Sequence, residues 1–199
     1  MYVRGARNRE EVWLLDQIER MDLDDLAFRS RDFVIAIDEE TNERAGFGRL
    51  RVHKTESGEV CEFTSIGVME AWREQGVGAH IIERLVDLAT DDDFSNIYTF
   101  TSIPEYFAQF GFRPVNPDEL PEKLDDRLEI LRNDTKPDAV PLVLQTEHFE
   151  MPPRLRKRFK AAHGRNEPAS EATESEPAED FGIDPETATY KYDTDGRTE

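Results

Sequence analysis

The stretch WREQGVGAHIIERLVDLAT, residues 72–90, decides the fold. Gly76 and Gly78 stand where an amphipathic helix begins, and Arg73 opens the loop before them. Ile81, Ile82, Leu85, Val86 and Ala89 recur at helical spacing and make one broad apolar stripe. Just upstream, EVCEFTSIGV (59–68) has the composition of a strand. A strand, a short glycine loop and a helix N-terminus together form an anion site. The first helical amides lack intrahelical partners, the helix dipole is positive there, and glycine removes the Cβ that would hold a phosphate away. Arg73 adds a fork of fixed positive charge. A phosphate or pyrophosphate is the ligand this arrangement suits.

Two common phosphate loops fail at named positions. A nucleoside-triphosphatase loop needs Lys and then Ser or Thr after its last glycine, whereas Ala79 and His80 follow Gly78. A dinucleotide fold wants a third glycine at position 81, which is Ile81.

Working outward, the elements follow one another clearly. MYVRGAR (1–7) reads as a strand, and REEVWLLDQIERM (9–21) as a helix with Val12, Leu15, Ile18 and Met21 on its apolar side. LDDLAFRS (23–30) continues as a short second helix. FVIAIDEE (33–40) and AGFGRLRVHK (45–54) form a hairpin across the polar ETNER, and a second turn leads into EVCEFTSIGV. After the central helix, IYTFT (97–101) is a buried strand. PEYFAQF (104–110) is a helix that starts at Pro104 and stops at Gly111. A polar connection precedes a last strand, PLVLQTE (141–147). The result is an α/β domain with a mixed sheet, antiparallel in its front half and βαβ in its back half.

Composition bounds the rest. A chain of 199 residues buries one sizeable core. Its 25 basic and 44 acidic side chains give a net charge of -19, which argues against nucleic acid or anionic lipid as partners. Only six of the basic residues are lysines, and such an acidic surface suits concentrated salt and a halophilic source. The single cysteine, Cys61, and the absence of a long apolar run point to a cytoplasmic protein. Composition changes near residue 150, so the domain is assigned to 1–150. The remainder, 151–199, is a basic and then acidic tail, largely disordered: RLRKRFKAAHGR (154–165) carries no acid, and NEPASEATESEPAED (166–180) has almost no large apolar group. Within the basic run, Leu155 and Phe159 are spaced for an amphipathic helix docked on the protein's own acidic surface.

The motif R-x-x-G-x-G at Arg73, Gly76 and Gly78, set between a strand and a long helix, resembles the acetyl-CoA pyrophosphate loop of the GNAT superfamily of N-acetyltransferases. YFAQFGFRPV (106–115) resembles the aromatic helix and Gly-Phe step of the same superfamily. The resemblance covers roughly residues 2–147. It implies a sheet with helices on both faces, splayed between its fourth and fifth strands. It also implies acetyl-CoA as cosubstrate, no metal, a small-molecule amine as acceptor and possibly a homodimer. Ile66, Gly67 and Val68 would flank the pantetheine arm, Arg73, Glu74, Gln75, Gly76, Val77, Gly78 and Ala79 would hold the pyrophosphate, and Phe107 would line the cosubstrate's path.

Amine attack on a thioester needs an unprotonated amine, although a free alkyl ammonium titrates near about 10. Glu62, eleven residues before Arg73 where several of these enzymes carry a glutamate, is the candidate base. A tyrosine that often protonates the leaving thiolate is replaced here by Phe107, with Tyr106 one residue earlier as the substitute candidate. The region 106–123 further resembles amino-acid N-acetyltransferases of the N-acetylglutamate-synthase type, which implies an amino acid acceptor. Protein lysines or N-termini, and a non-catalytic acyl-CoA-binding role, remain as alternatives. Arg49 and Arg51 are the candidate clamp for an acceptor carboxylate.

Overall fold

The computed structural model describes residues 1–56 and 58–164. The expectation of disorder in 166–180 lies outside the described residues. In chain order the elements are β1 (Tyr2–Gly5), α1 (Glu11–Arg20), β2 (Phe33–Ile37), β3 (Arg44–Thr55), β4 (Gly58–Val68), α2 (Val77–Asp91), β5 (Asn96–Thr101), α3 (Pro104–Ala108), β6 (Arg113–Pro114), α4 (Glu122–Asp134), β7 (Val140–Gln145) and α5 (Pro153–Lys160). The strands form one sheet in the order β1-β2-β3-β4-β5-β7-β6. β1 to β4 make an antiparallel meander, α2 crosses over to β5 parallel to β4, and β7 then pairs antiparallel with β5.

Helices cover both faces of the sheet. On one side α2 packs Ile81, Ile82, Leu85, Val86 and Ala89 onto Val34, Ala36, Ala45, Cys61 and Phe63. On the other, α1 packs Leu14 and Ile18 onto Phe33, Ile35, Ile37 and Phe47. This is why the FVIAI run of β2 is apolar at every position rather than at every second one. Further along that second face, α4 covers Tyr98 and Phe100 of β5 with Leu124, Leu128 and Leu131.

The differences from the sequence-based expectations have physical causes. Helix α1 forms, but it buries Leu14 and Ile18, while Val12 is 71% exposed. Its rotation is fixed by the buried Glu10 just before it, which Arg4 grips through both carboxylate oxygens at 2.8 and 2.7 Å. Residues 22–29 are an irregular loop, not a second helix, with positive φ at Asp22 and Ala27. The buried Arg49 takes the carbonyls of Leu26 and Ala27 and holds the loop in this shape. The supposed polar connection contains α4, whose Leu124, Leu128 and Leu131 recur at helical spacing between charged residues. The compact unit also runs past the boundary drawn at 150, to Arg165, because α5 sinks Leu155 and Phe159 into the core. Composition shifted there because the helix has a basic outer face, and its inner edge is apolar.

The Glu10 cluster yields a prediction. Hydrogen bonds from Arg4, with one from the Arg7 amide, pull its carboxyl from an ordinary 4.5 to about 2. The folded carboxyl therefore binds its proton less readily than the unfolded one. That stabilisation, about 3 kcal/mol, is complete above pH 4.5 and is lost as pH falls toward 2. Glu10→Gln is expected to lower Tm at neutral pH by about 5–10 °C and to flatten the Tm profile between pH 4.5 and 2, as read by calorimetry.

Candidate active site

The site begins where two strands separate. β4 and β5 pair only from Cys61 opposite Ile97 to Phe63 opposite Thr99, although β4 continues to Val68 and β5 to Thr101. The hydroxyl of Thr99 donates to the Phe63 carbonyl at 2.9 Å and caps the last rung. Beyond it the β3–β4 register slips between Phe47 and Arg49, and Ser65 takes a left-handed conformation, φ 49°. This bulge turns β4 away from β5. The Ser65 hydroxyl anchors it by donating to the Asp24 carbonyl at 2.6 Å. The sheet is thus splayed between its fourth and fifth strands.

Past β4, Trp72 sinks into the core and fixes the loop that leads to α2. Gly76, the residue before the helix, has φ +81°, a conformation strained for any residue with a Cβ. Gly78 is crowded differently: a Cβ there would lie 2.9 Å from the Tyr106 hydroxyl. The space those carbons would take is filled by the fold itself, by the backbone of α5 at Gly76 and by the Tyr106 hydroxyl at Gly78. Arg73 stands beside them, its Nε donating to the Val68 carbonyl at 3.4 Å.

A cavity of about 740 Å³ joins the loop to the gap. Arg73, Glu74, Gly76, Val77 and Gly78 line its outer end, and Ile66 and Val68 line the path inward. Phe63 and Thr99 mark the gap, and Leu23, Thr64 and Lys136 line the end beyond it. The cavity therefore runs from the glycine loop at the α2 N-terminus to the Lys136 cation through the opening in the sheet. Lys136 is half-buried, and burial pulls its ammonium below the usual lysine range. A carboxylate would relieve that cost.

Behind the inner wall lies a charged network on the α4 side of the sheet. Glu62, 1% exposed, has its Oε2 2.7 Å from His53 Nε2 and 3.4 Å from Arg127 Nε. Arg127 also pairs with Asp24, which stands 3.6 Å from Arg51 Nη1. Burial lowers the Arg51 pKa, with the Arg127 charge adding to it. Arg49 is paired with Asp32 at 3.4 Å and lies over the Phe33 ring. Of these cations, Lys136 alone has no carboxylate within ion-pair distance among the described residues.

The sequence-derived site residues separate into two groups. Ile66, Val68, Arg73, Glu74, Gly76, Val77, Gly78, Tyr106 and Phe107 all line the cavity. Glu62 is outside the lining, one layer behind Phe63 and Thr64. Gly67 faces away, toward Met21 and the Phe47 ring. Gln75 turns its side chain to the Ala71 carbonyl at 3.0 Å, and Ala79 is wholly buried in the core, so only their backbones can serve a ligand. Tyr106 places its hydroxyl at Gly78, the cradle end of the cavity, and not at the gap. Burial pushes its phenol up to about 12. Neither arginine expected as a carboxylate clamp lines the cavity: Arg49 holds the 22–29 loop and Arg51 stands by Asp24, whereas Lys136 does line it. Lys136 follows α4 in a stretch that reads from sequence as a polar connection, and Arg154 and Arg158 of α5, which also line the cavity, lie beyond the compositional boundary at 150, so sequence alone does not point to them.

A glycine loop at a helix N-terminus is thus joined through a splayed sheet to a cation-bearing end of one cavity. Residues 4–112, more than half of the chain, match the sequence model of the Acetyltransferase (GNAT) family, and the chain belongs to that family. Among solved structures, it resembles N-acetylglutamate synthase from Neisseria gonorrhoeae complexed with coenzyme A and N-acetyl-glutamate, at 20% identity and a TM-score of 0.57, over 72% of this chain and 34% of that one. It also resembles Rv2747 from Mycobacterium tuberculosis in complex with CoA, at 18% identity and a TM-score of 0.59, over 73% of this chain and 99% of that one. A GNAT-family acetyltransferase from Staphylococcus aureus Mu50 matches at 14% identity and a TM-score of 0.53, over 72% and 98% of the two chains. The chain thus spans about a third of the length of the synthase, and at these identities the likeness is one of fold.

Proposed function

We propose that the protein transfers the acetyl group of acetyl-CoA to the primary amine of a small, carboxylate-bearing acceptor, in a ternary complex. The observation that carries this reading is the ammonium of Lys136, without a carboxylate at ion-pair distance among the described residues, at the inner end of the cavity across the sheet gap from the glycine loop. The cosubstrate lays its pyrophosphate on the first amides of α2 and its pantetheine arm along Ile66 and Val68. The thioester then meets the gap beyond Phe63. The acceptor enters from the Leu23 and Lys136 side, and its carboxylate pairs with the lysine. The amine nitrogen attacks the thioester carbonyl, a tetrahedral adduct forms, the C–S bond breaks, and the CoA thiolate leaves.

Two proton movements accompany this. The amine must lose a proton, and Glu62, tied to His53, is the base we assign. Its position behind the wall makes the transfer a solvent-relayed one. At the other end, a phenol held near 12 stays protonated and can donate a hydrogen bond to the cosubstrate. It is a poor proton donor to a thiolate, because an ordinary thiol titrates near about 8.5 and the thiolate is the weaker base. Tyr106 therefore binds, and solvent protonates the sulfur.

The test is a free-thiol assay with acetyl-CoA in molar salt against α-amino acids, their carboxamides and short peptides. Free amino acids should react best, with the carboxamides about tenfold or more poorer in kcat/KM. Preferential turnover of peptides would instead favour a protein N-terminus or lysine as acceptor. Lys136→Ala should raise KM for the amino acid about tenfold and leave KM for its carboxamide unchanged.

A further inference from the structure

We propose that α5, which lies beyond the family's matched residues 4–112, is part of the CoA site, with Arg154 and Arg158 as ligands for a phosphate of the cosubstrate. The helix is seated on the cradle itself. A Cβ at Gly76 would strike the Leu155 carbonyl oxygen and lie 3.1 Å from the Phe159 nitrogen, so the backbone of α5 touches the loop glycine. Phe159 stacks on His80 of α2 with centroids 3.8 Å apart, and Arg156 clamps Glu83 at 2.5 Å. The amide of His163 donates to Gln75 Oε1 at 3.0 Å, tying the chain after the helix to the same loop.

This docking decides where the helix directs its charge. Leu155 and Phe159 point into the core, so positions 154 and 158, one turn apart, flank the cavity beside Arg73, Glu74 and Gly76. Arg158 reaches the Glu74 carbonyl with Nη1 at 3.4 Å, which places its guanidinium at the lip of the loop. A second recess of about 340 Å³, lined by Glu74, Gln75, Arg158 and Ala161, opens alongside. Arg154 donates to the neutral amide oxygen of Gln109 at 2.6 Å. Neither of these contacts neutralises the arginine, whereas Arg156 is spent on Glu83. In a chain of net charge -19, two guanidinium groups with no carboxylate at ion-pair distance among the described residues stand at the mouth of the glycine loop. CoA carries a 3′-phosphate as well as its pyrophosphate, and in the proposed function, on which this inference rests, the amides of α2 serve only the latter. Arginine forks match phosphate oxygens in pairs, the geometry such a group requires.

Calorimetric titration of the full chain with CoA and with 3′-dephospho-CoA, at one fixed salt concentration and with melting curves alongside, tests this. Arg158→Ala and Arg154→Ala should each weaken CoA binding about tenfold at unchanged Tm. Lys157→Ala, which removes the same charge from an exposed position of the same helix, should stay within about twofold of wild type. If Arg158→Ala alters Tm, Arg158→Lys, which keeps the charge, should recover most of the affinity. A penalty that vanishes with 3′-dephospho-CoA assigns the arginines to the 3′-phosphate, and one that persists assigns them to the pyrophosphate; both support the proposal. Wild-type affinity in the Arg154→Ala/Arg158→Ala double variant would overturn it, as would equal weakening by Lys157→Ala. Failure of the wild-type chain to bind CoA at all would overturn the cosubstrate reading along with it.

Discussion

Gly76→Ala is expected to cost the protein its cosubstrate: CoA affinity should fall about a hundredfold, with Tm lower by about 5–10 °C. Two independent penalties meet at this residue. The backbone is left-handed, φ +81°, which costs an L-residue about 1–2 kcal/mol. The added methyl also has no room, since it would be driven into the Leu155 carbonyl oxygen. Backbone cannot swing aside as a side-chain tip can, so either the loop or α5 must shift. Either movement disturbs the cradle, because the same glycine sets the direction of the first α2 amides. Gly78→Ala is the informative contrast. Its Cβ would meet the Tyr106 hydroxyl at 2.9 Å, the far end of a side chain that can move, so the loss should be several times smaller. Equal effects at the two positions, measured by calorimetric titration and melting, would show that α5 does not brace the loop.

Glu62→Gln is expected to lower kcat by about a hundredfold while CoA affinity stays within about twofold. The amide keeps a hydrogen bond for His53 and removes the base. It also leaves Arg127 with Asp24 as its remaining carboxylate, and loss of one partner from a buried ion cluster is costly. Tm must therefore be read with kcat. A lower Tm with unchanged kcat would make Glu62 a structural anion and place the base elsewhere.

The loop and its helix were legible because their signals are local. Gly76 and Gly78 follow a strand, and the α2 stripe from Ile81 to Ala89 obeys one period over the whole helix. The splay was legible only through resemblance, since the bulge at Ser65 and the Thr99 cap depend on side chains far apart in sequence. Rotation of α1 could not be deduced from its apolar positions, because Glu10 and its arginines fix it from outside the helix. Arg49 and Lys136 show the same limit. Both are cations in sequence, and only the fold decides that Arg49 is consumed by the carbonyls of Leu26 and Ala27 while Lys136 faces a cavity. The basic run after residue 150 looked separate because charge outnumbers apolar groups there, yet Leu155 and Phe159 suffice to seat it on α2.

The most direct measurement is amine-dependent release of free thiol from acetyl-CoA by the 199-residue chain, with the product weighed by mass spectrometry. A free amino acid should release one thiol for each N-acetylated product, and Lys136→Ala should raise the amino acid concentration needed. Tight CoA binding with no thiol release on any amine, free or peptidic, would contradict the acyl-transfer reading and leave a CoA-binding module in its place.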